Sequence, residues 1–124
     1  MIQLTKTQVI NIHSVLIAAT GGSDGVRDHG MLESALSAPF LTFGGENIYP
    51  PLLQKAARLG SSLVSNHLFI DGNKRIGVHA MLVFLALNGI EIECTQVELI
   101  DVGLSLAKNS LSFDELFKWL CEHS

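Results

Sequence analysis

A chain of 124 residues has room for one domain and little else, and residues 1–124 read as that single domain. Apolar residues make up 48% of the chain and charged residues 16%, which excludes an intrinsically disordered protein. Eight basic residues against 12 acidic ones give a net charge of −4 with no run of like charges, so direct nucleic-acid binding through a basic stripe is not expected.

Thr5-Lys6-Thr7-Gln8 fits a capping box, in which a hydroxyl and a Glu or Gln side chain satisfy each other's backbone amides at a helix start. Val9, Ile12, Leu16 and Ile17 follow at helical spacing, and Gly21-Gly22 stops the helix. Residues 23–30 are polar. A short helix is predicted over residues 31–36, ending before Pro39. Residues 40–49, with Gly44-Gly45 inside, read as a loop or small hairpin.

Pro50-Pro51 suits a helix start, since proline in the first turn forfeits no internal hydrogen bond. Leu52, Leu53, Ala56, Leu59, Leu63 and Val64 then mark a helix reaching about Asn66. Another is predicted from Asn73 to just before Gly89. Its residues 76–87 are apolar all round, so it should be the central helix, sheathed by the others. Ile90-Glu91-Ile92-Glu93 alternates like a short strand. Two more capping boxes, Thr95-Gln96-Val97-Glu98 and Ser112-Phe113-Asp114-Glu115, open the last helices. Their expected core stripes are Val97, Ile100, Leu104 and Ala107, then Phe113, Leu116, Phe117 and Leu120. The fold class is all-α: a compact bundle of about six helices with one small loop or hairpin.

Cys94 and Cys121 lack metal-site spacing and read as buried thiols in a reducing compartment. The start of the chain lacks the basic flank and apolar run of a signal peptide, and residues 76–87 are too short to cross a bilayer. A cytoplasmic protein without membrane contact is therefore expected.

The chemistry concentrates in His67-Leu68-Phe69-Ile70-Asp71-Gly72-Asn73-Lys74-Arg75-Ile76-Gly77. A plain connector needs a glycine and one cap, not a histidine, an aspartate, an asparagine and two cations. Free amides and the positive dipole end of the following helix suit a phosphate, which Gly72 lets approach closely and to which Asn73, Lys74 and Arg75 offer donors. Asp71 is a hard oxygen ligand suited to Mg²⁺, and His67 can take a proton from an attacking hydroxyl. These are the parts of a phosphoryl or nucleotidyl transfer site.

His67-x-Phe69-x-Asp71-Gly72-Asn73-Lys74-Arg75 resembles the signature of the Fic/Doc superfamily, particularly its death-on-curing (Doc) toxin branch. Gly25-Val26-Arg27-Asp28-His29-Gly30-Met31-Leu32-Glu33-Ser34-Ala35 is similar to the family's upstream segment. Pro50, Ala56-Ala57, Phe84-Leu85 and Asn88-Gly89 also sit where a Doc-type chain has them. The resemblance runs from about Leu4 to Phe117. It implies a Fic-type helical bundle, ATP as substrate and Mg²⁺ as cofactor. It further implies His67 as general base, Asp71 as magnesium and orientation residue, Gly72 and Asn73 as phosphate contacts, and Lys74 and Arg75 as neutralising cations. Thr42, Phe43, Gly44, Gly45, Glu46 and Asn47, continuing to Tyr49, would be the flap that positions a target segment by strand addition.

AMP-transferring Fic proteins have Gly where Lys74 stands and a second Arg where Val78 stands. The Doc branch shares both departures and moves the terminal phosphate of ATP onto elongation factor Tu, inhibiting translation. The resemblance thus favours a Ser/Thr kinase of a toxin–antitoxin pair over AMP transfer, or over a nonenzymatic antitoxin-binding co-repressor. Ile76-Gly77 replaces the Thr-Ala usual after Lys-Arg in Doc chains. Residues 42–47 also fit the family's Ser/Thr-x-x-x-Glu-Gly/Asn inhibitory helix, but two consecutive glycines argue against a helix there. Silencing by an antitoxin in trans is expected instead.

Other residues read more plainly. Arg27 and Asp28 fit a loop ion pair as well as an active-site role, and His79 fits a satisfied buried histidine. A His67/Asp71/His79 metal site does not obviously converge. His13, His29 and His123 carry no legible role.

Overall fold

The computed structural model describes residues 1–47 and 51–124. The three capping boxes all form: Thr5 opens α1 (Lys6–Thr20), Thr95 opens α5 (Gln96–Ala107) and Ser112 opens α6 (Phe113–His123). Asp28 caps α2 (His29–Ser37) by accepting the Met31 amide at 3.0 Å. A 3₁₀ turn, Ala38–Phe40, follows, and then β1 (Thr42–Phe43) and β2 (Glu46–Asn47) pair antiparallel. Gly44 and Gly45, at φ 60° and 84°, take the two positive-φ positions that a two-residue hairpin turn demands. α3 is Leu52–Ser65 with Pro51 at its N-cap, and α4 is Asn73–Leu87. Pro50, and the Ile48 and Tyr49 end of the expected flap, lie outside the described residues.

The expected all-α bundle is the one that forms, with α4 at its centre against α3, α1 and α5. α2 and α6 cover the other sides of α3. Phe69, Phe84, Leu32, Leu63, Met81, Leu116 and Leu120 fill the core with almost no exposure. α3 and α4 meet closely because Gly77 has no side chain. A Cβ there would overlap Val64 Cγ2 and stand 3.1 Å from the Val64 nitrogen and 3.2 Å from the Gly60 oxygen. Lys55 is buried on α3, donating to the Pro39 carbonyl at 3.0 Å beneath the Phe40 ring. Burial holds its ammonium below the ordinary lysine range, and the contact pins the chain just before the hairpin.

Three expectations need correction. Residues 90–93 form no strand: their exposure alternates, but no neighbouring edge pairs with them, and Glu93 donates instead to the His123 carbonyl at 2.8 Å. α5 packs through Leu99, Val102, Gly103 and Leu106, leaving Val97, Ile100 and Leu104 exposed. That helix is apolar on both sides, and the face opposite the expected one meets α4. Cys121 is exposed and Cys94 only half-buried, though both are free thiols.

His123, unassigned by sequence, clamps α6 onto α5. Its Nδ1 donates to the Trp119 carbonyl at 2.7 Å and its Nε2 to Glu98 Oε2 at 2.9 Å, with the ring stacked on Trp119. The Trp119 carbonyl first, then Glu98, holds this imidazole above its ordinary value of 6.5. The Thr95 amide first, then His123, holds Glu98 below its ordinary 4.5. The histidine's contribution is complete below about 6.5 and is lost as pH rises through the raised folded value. The glutamate's is complete above about 4.5 and is lost as pH falls through the lowered one. His123→Gln should therefore lower the melting temperature most between these values and progressively less at alkaline pH. An offset independent of pH would contradict this.

Candidate active site

The turn between α3 and α4 is held mainly by backbone from elsewhere in the chain. α3 ends at Asn66, whose side-chain Nδ2 donates to the Ser62 carbonyl at 2.8 Å. His67 then takes φ 48°, a left-handed conformation that glycine or asparagine adopts more easily. Its side chain is exposed and, among the described residues, hydrogen-bonds to none. Leu68 and Phe69 plunge into the core. The Leu68 carbonyl accepts the Arg27 and Asp28 amides at 2.8 and 3.1 Å, Ile70 donates to the Gly25 carbonyl, and Val26 bridges Phe69 antiparallel. The upstream segment is thus a brace for the turn. Arg27 and Asp28 form no ion pair among the described residues: Asp28 is a helix cap and Arg27 is exposed.

Asn73 closes the turn on itself. Its Oδ1 accepts the Phe69 amide at 2.9 Å and its Nδ2 donates to the Phe69 carbonyl at 3.0 Å. That side chain is committed to shape, so its share in holding phosphate would fall to its backbone amide in the first turn of α4. Gly72, at φ 76°, is the N-cap and leaves the amide row open. Asp71 is exposed; its Oδ1 accepts the Gly72 amide at 2.9 Å, and its Oδ2 lies 3.4 Å from the Ser23 amide nitrogen. No acidic residue occupies the first turn of α4, whereas Lys74 and Arg75 do. Positive side chains are disfavoured at the positive end of a helix unless an anion joins them. Arg75 is anchored by the C-terminal end of α1, where Nη1 donates to the Thr20 hydroxyl and, at 2.9 Å, to the Gly21 carbonyl. Lys74 is exposed.

A cavity of about 310 Å³ opens beside Lys74 and Arg75, lined chiefly by Leu16, Val78, Leu99, Ile100 and Leu104. His79 also lines it, half-buried and satisfied, its Nδ1 donating to the Arg75 carbonyl at 3.1 Å. Among the described residues no three His, Cys, Asp or Glu side chains converge on one point, so His67, Asp71 and His79 do not form a metal cage. The hairpin of Thr42, Phe43, Gly44, Gly45, Glu46 and the Asn47 backbone replaces any helix at the inhibitory-like pattern, and presents Phe43 84% exposed.

Sequence reasoning overlooked His13, within α1, and the loop that follows the helix. His13 is buried on the same α1 face as Val9 and Ile17, four residues to either side. A histidine on an apolar helical stripe, just before Gly21-Gly22, was the available signal. The short stretch from His67 to Arg75 thus carries an exposed histidine, an exposed carboxylate, two cations and the free amides of the first α4 turn.

The profile of the Fic/DOC family matches residues 3–85, and the chain belongs to that family. The relatives place it with the Doc members. It is 42% identical over 89 residues to "Toxin Doc" of Mycolicibacterium smegmatis, covering 69% of this chain and 68% of that protein. It is 27% identical over 112 residues to "Protein kinase doc" of Escherichia phage P1, covering 90% and 87% respectively. No helix among the described residues is long and apolar enough to cross a membrane.

Proposed function

We propose that this protein is a cytoplasmic Doc-type toxin that transfers the terminal phosphate of ATP to a Ser or Thr hydroxyl of a translation factor, elongation factor Tu by family resemblance. The observation that carries the reading is the pairing of Lys74 and Arg75 with a first helical turn that holds no acidic residue, which gains stability from a bound polyphosphate. Asp71 fits Mg²⁺, because a lone exposed carboxylate with no further side-chain ligands suits an ion completed by phosphate oxygens and water. When bound, that ion would neutralise phosphate charge.

His67 takes the proton from the target hydroxyl as its oxygen bonds to the terminal phosphorus and the bond to the departing ADP breaks. The amides of the first α4 turn hold the transferred group, Lys74 and Arg75 offset the charge on the leaving diphosphate, and the hairpin pairs with the target's backbone. Regulation falls to an antitoxin in trans. The exposed apolar face of Val97, Ile100 and Leu104, two of which line the cavity, supports a seat for an amphipathic partner helix.

The test is incubation with purified elongation factor Tu and ATP labelled at either the γ or the α phosphate. Label from γ alone, absent with His67→Ala, is expected. Label from α would replace the reading with AMP transfer, and none from either would leave a nonenzymatic module. A co-expressed antitoxin should suppress labelling by the wild type but not by Ile100→Glu.

A further inference from the structure

Among the described residues, one buried ionisable ring is not used by the transfer chemistry above. His13, 1% exposed, lies 58 residues from Asp71 in sequence, yet its Nε2 stands 2.6 Å from the Asp71 carbonyl oxygen. A carbonyl only accepts, so Nε2 carries the hydrogen. The ring stacks on Phe69 with centroids 3.9 Å apart and planes 17° from parallel, which fixes its tilt. Its other nitrogen, Nδ1, faces Asp24 Oδ1 at 3.3 Å. Asp24 is itself held by the Ser14 hydroxyl at 2.9 Å and the Gly25 amide at 2.8 Å. A chain of contacts thus runs from a solvent-facing carboxylate through a buried imidazole to the main chain of the motif.

The contact falls where it controls the site. The Asp71 carbonyl belongs to the peptide that leads into Gly72, so holding its oxygen fixes the peptide plane carrying the Gly72 N–H. That N–H in turn orients the Asp71 carboxylate by donating to its Oδ1. The same plane sets the direction in which the free amides of α4 open. A Cβ on Gly72 would lie 3.4 Å from His13 Nε2, so the ring also bounds the space against which the turn closes.

We propose that His13, held by its stack on Phe69, is a positioning residue for Asp71 and the phosphate cradle of α4. It acts through the Asp71 carbonyl and touches neither nucleotide nor target. The role rests on the transfer reading given above.

Two variants separate position from fold. His13→Phe keeps the stack on Phe69 and removes the donor, while His13→Gln returns an N–H near the place of Nε2. Three readouts apply: the nitrogen-15 signature of the His13 ring, the backbone amide signals of Gly72 and Asn73, and the magnesium dependence and turnover of phosphate transfer. The expected results are a protonated Nε2 in the wild type and displaced Gly72 and Asn73 signals in His13→Phe that return in His13→Gln. With an unchanged melting temperature, turnover in His13→Phe should fall about tenfold or more and need more Mg²⁺, with His13→Gln recovering most of it. An unprotonated Nε2, unmoved amide signals, or a folded His13→Phe with wild-type turnover and magnesium dependence would overturn the proposal. If the wild type transfers no phosphate while the ring and amide signals behave as described, the transfer reading falls and the positioning of the turn stands.

Discussion

His67→Gly should abolish phosphate transfer and at the same time make the protein more stable. The histidine sits at φ 48°, where a residue with a Cβ pays a steric penalty of about 1–2 kcal/mol that glycine avoids. Glycine enlarges the unfolded ensemble in return, so the net gain should be about 0.5–1 kcal/mol. Nothing in the fold loses a partner: the imidazole is exposed and unbonded among the described residues, and the neighbouring backbone is held by Leu68 and Phe69. Transfer, by contrast, should fall roughly 10²–10⁴-fold with the loss of a general base. His67→Ala should lose as much activity while keeping the strain, and hence the original melting temperature. A helix stop chosen for stability would carry glycine or asparagine here. If His67→Gly melts earlier than the wild type, or retains transfer, the histidine is a structural residue after all.

Gly77→Ala should be the most damaging single methyl group in the molecule. Alanine is about 1 kcal/mol better than glycine inside a helix, so propensity alone argues for stabilisation. The new Cβ, however, would overlap Val64 Cγ2 and crowd the backbone of α3 at two atoms that cannot turn aside. Overpacking of a tight core costs about 1–3 kcal/mol, and here α3 and α4 would have to separate along their whole contact. We expect a net loss of up to about 2 kcal/mol, a fall of up to roughly 10 °C in melting temperature for a domain of this size. Val64→Ala in the same chain should recover part of it, because it removes the methyl group that the new Cβ would overlap while the two backbone contacts remain. A single Gly77→Ala variant that melts higher than the wild type would show that the helices can part at no cost.

These results bear on what the amino-acid order discloses. Thr5, Thr95 and Ser112 announced their helices because a capping box is complete within four residues, and Gly89, after Asn88, ends α4 for an equally local reason. The motif from His67 to Arg75 was legible as chemistry because its functional groups crowd one short stretch. The wrong face chosen for α5 has a different origin. Val97, Ile100 and Leu104 alternate with Leu99, Val102 and Leu106 around one helix, and only the placement of α4 decides which set is buried. The short strand expected at residues 90–93 failed because alternation supplies a side-chain pattern but not a neighbouring edge. His13 escaped notice because its meaning lies in an oxygen 58 residues away. Local rules found the elements, and long-range contacts decided the site.

The bracing of the turn at residues 67–73 has a consequence for the order in which the chain folds. Each helix start is self-sufficient, so helices can nucleate early and independently of one another. The turn at residues 67–73 is not: it needs Gly25, Val26, Arg27 and His13, all separated from it by more than 40 residues. Such closures come late in folding and reopen early, because their entropy cost must be met before any contact rewards it. A chain still being synthesised, or one partly unfolded, therefore holds most of its helices but not this turn. The turn is complete only when the two ends of this brace meet.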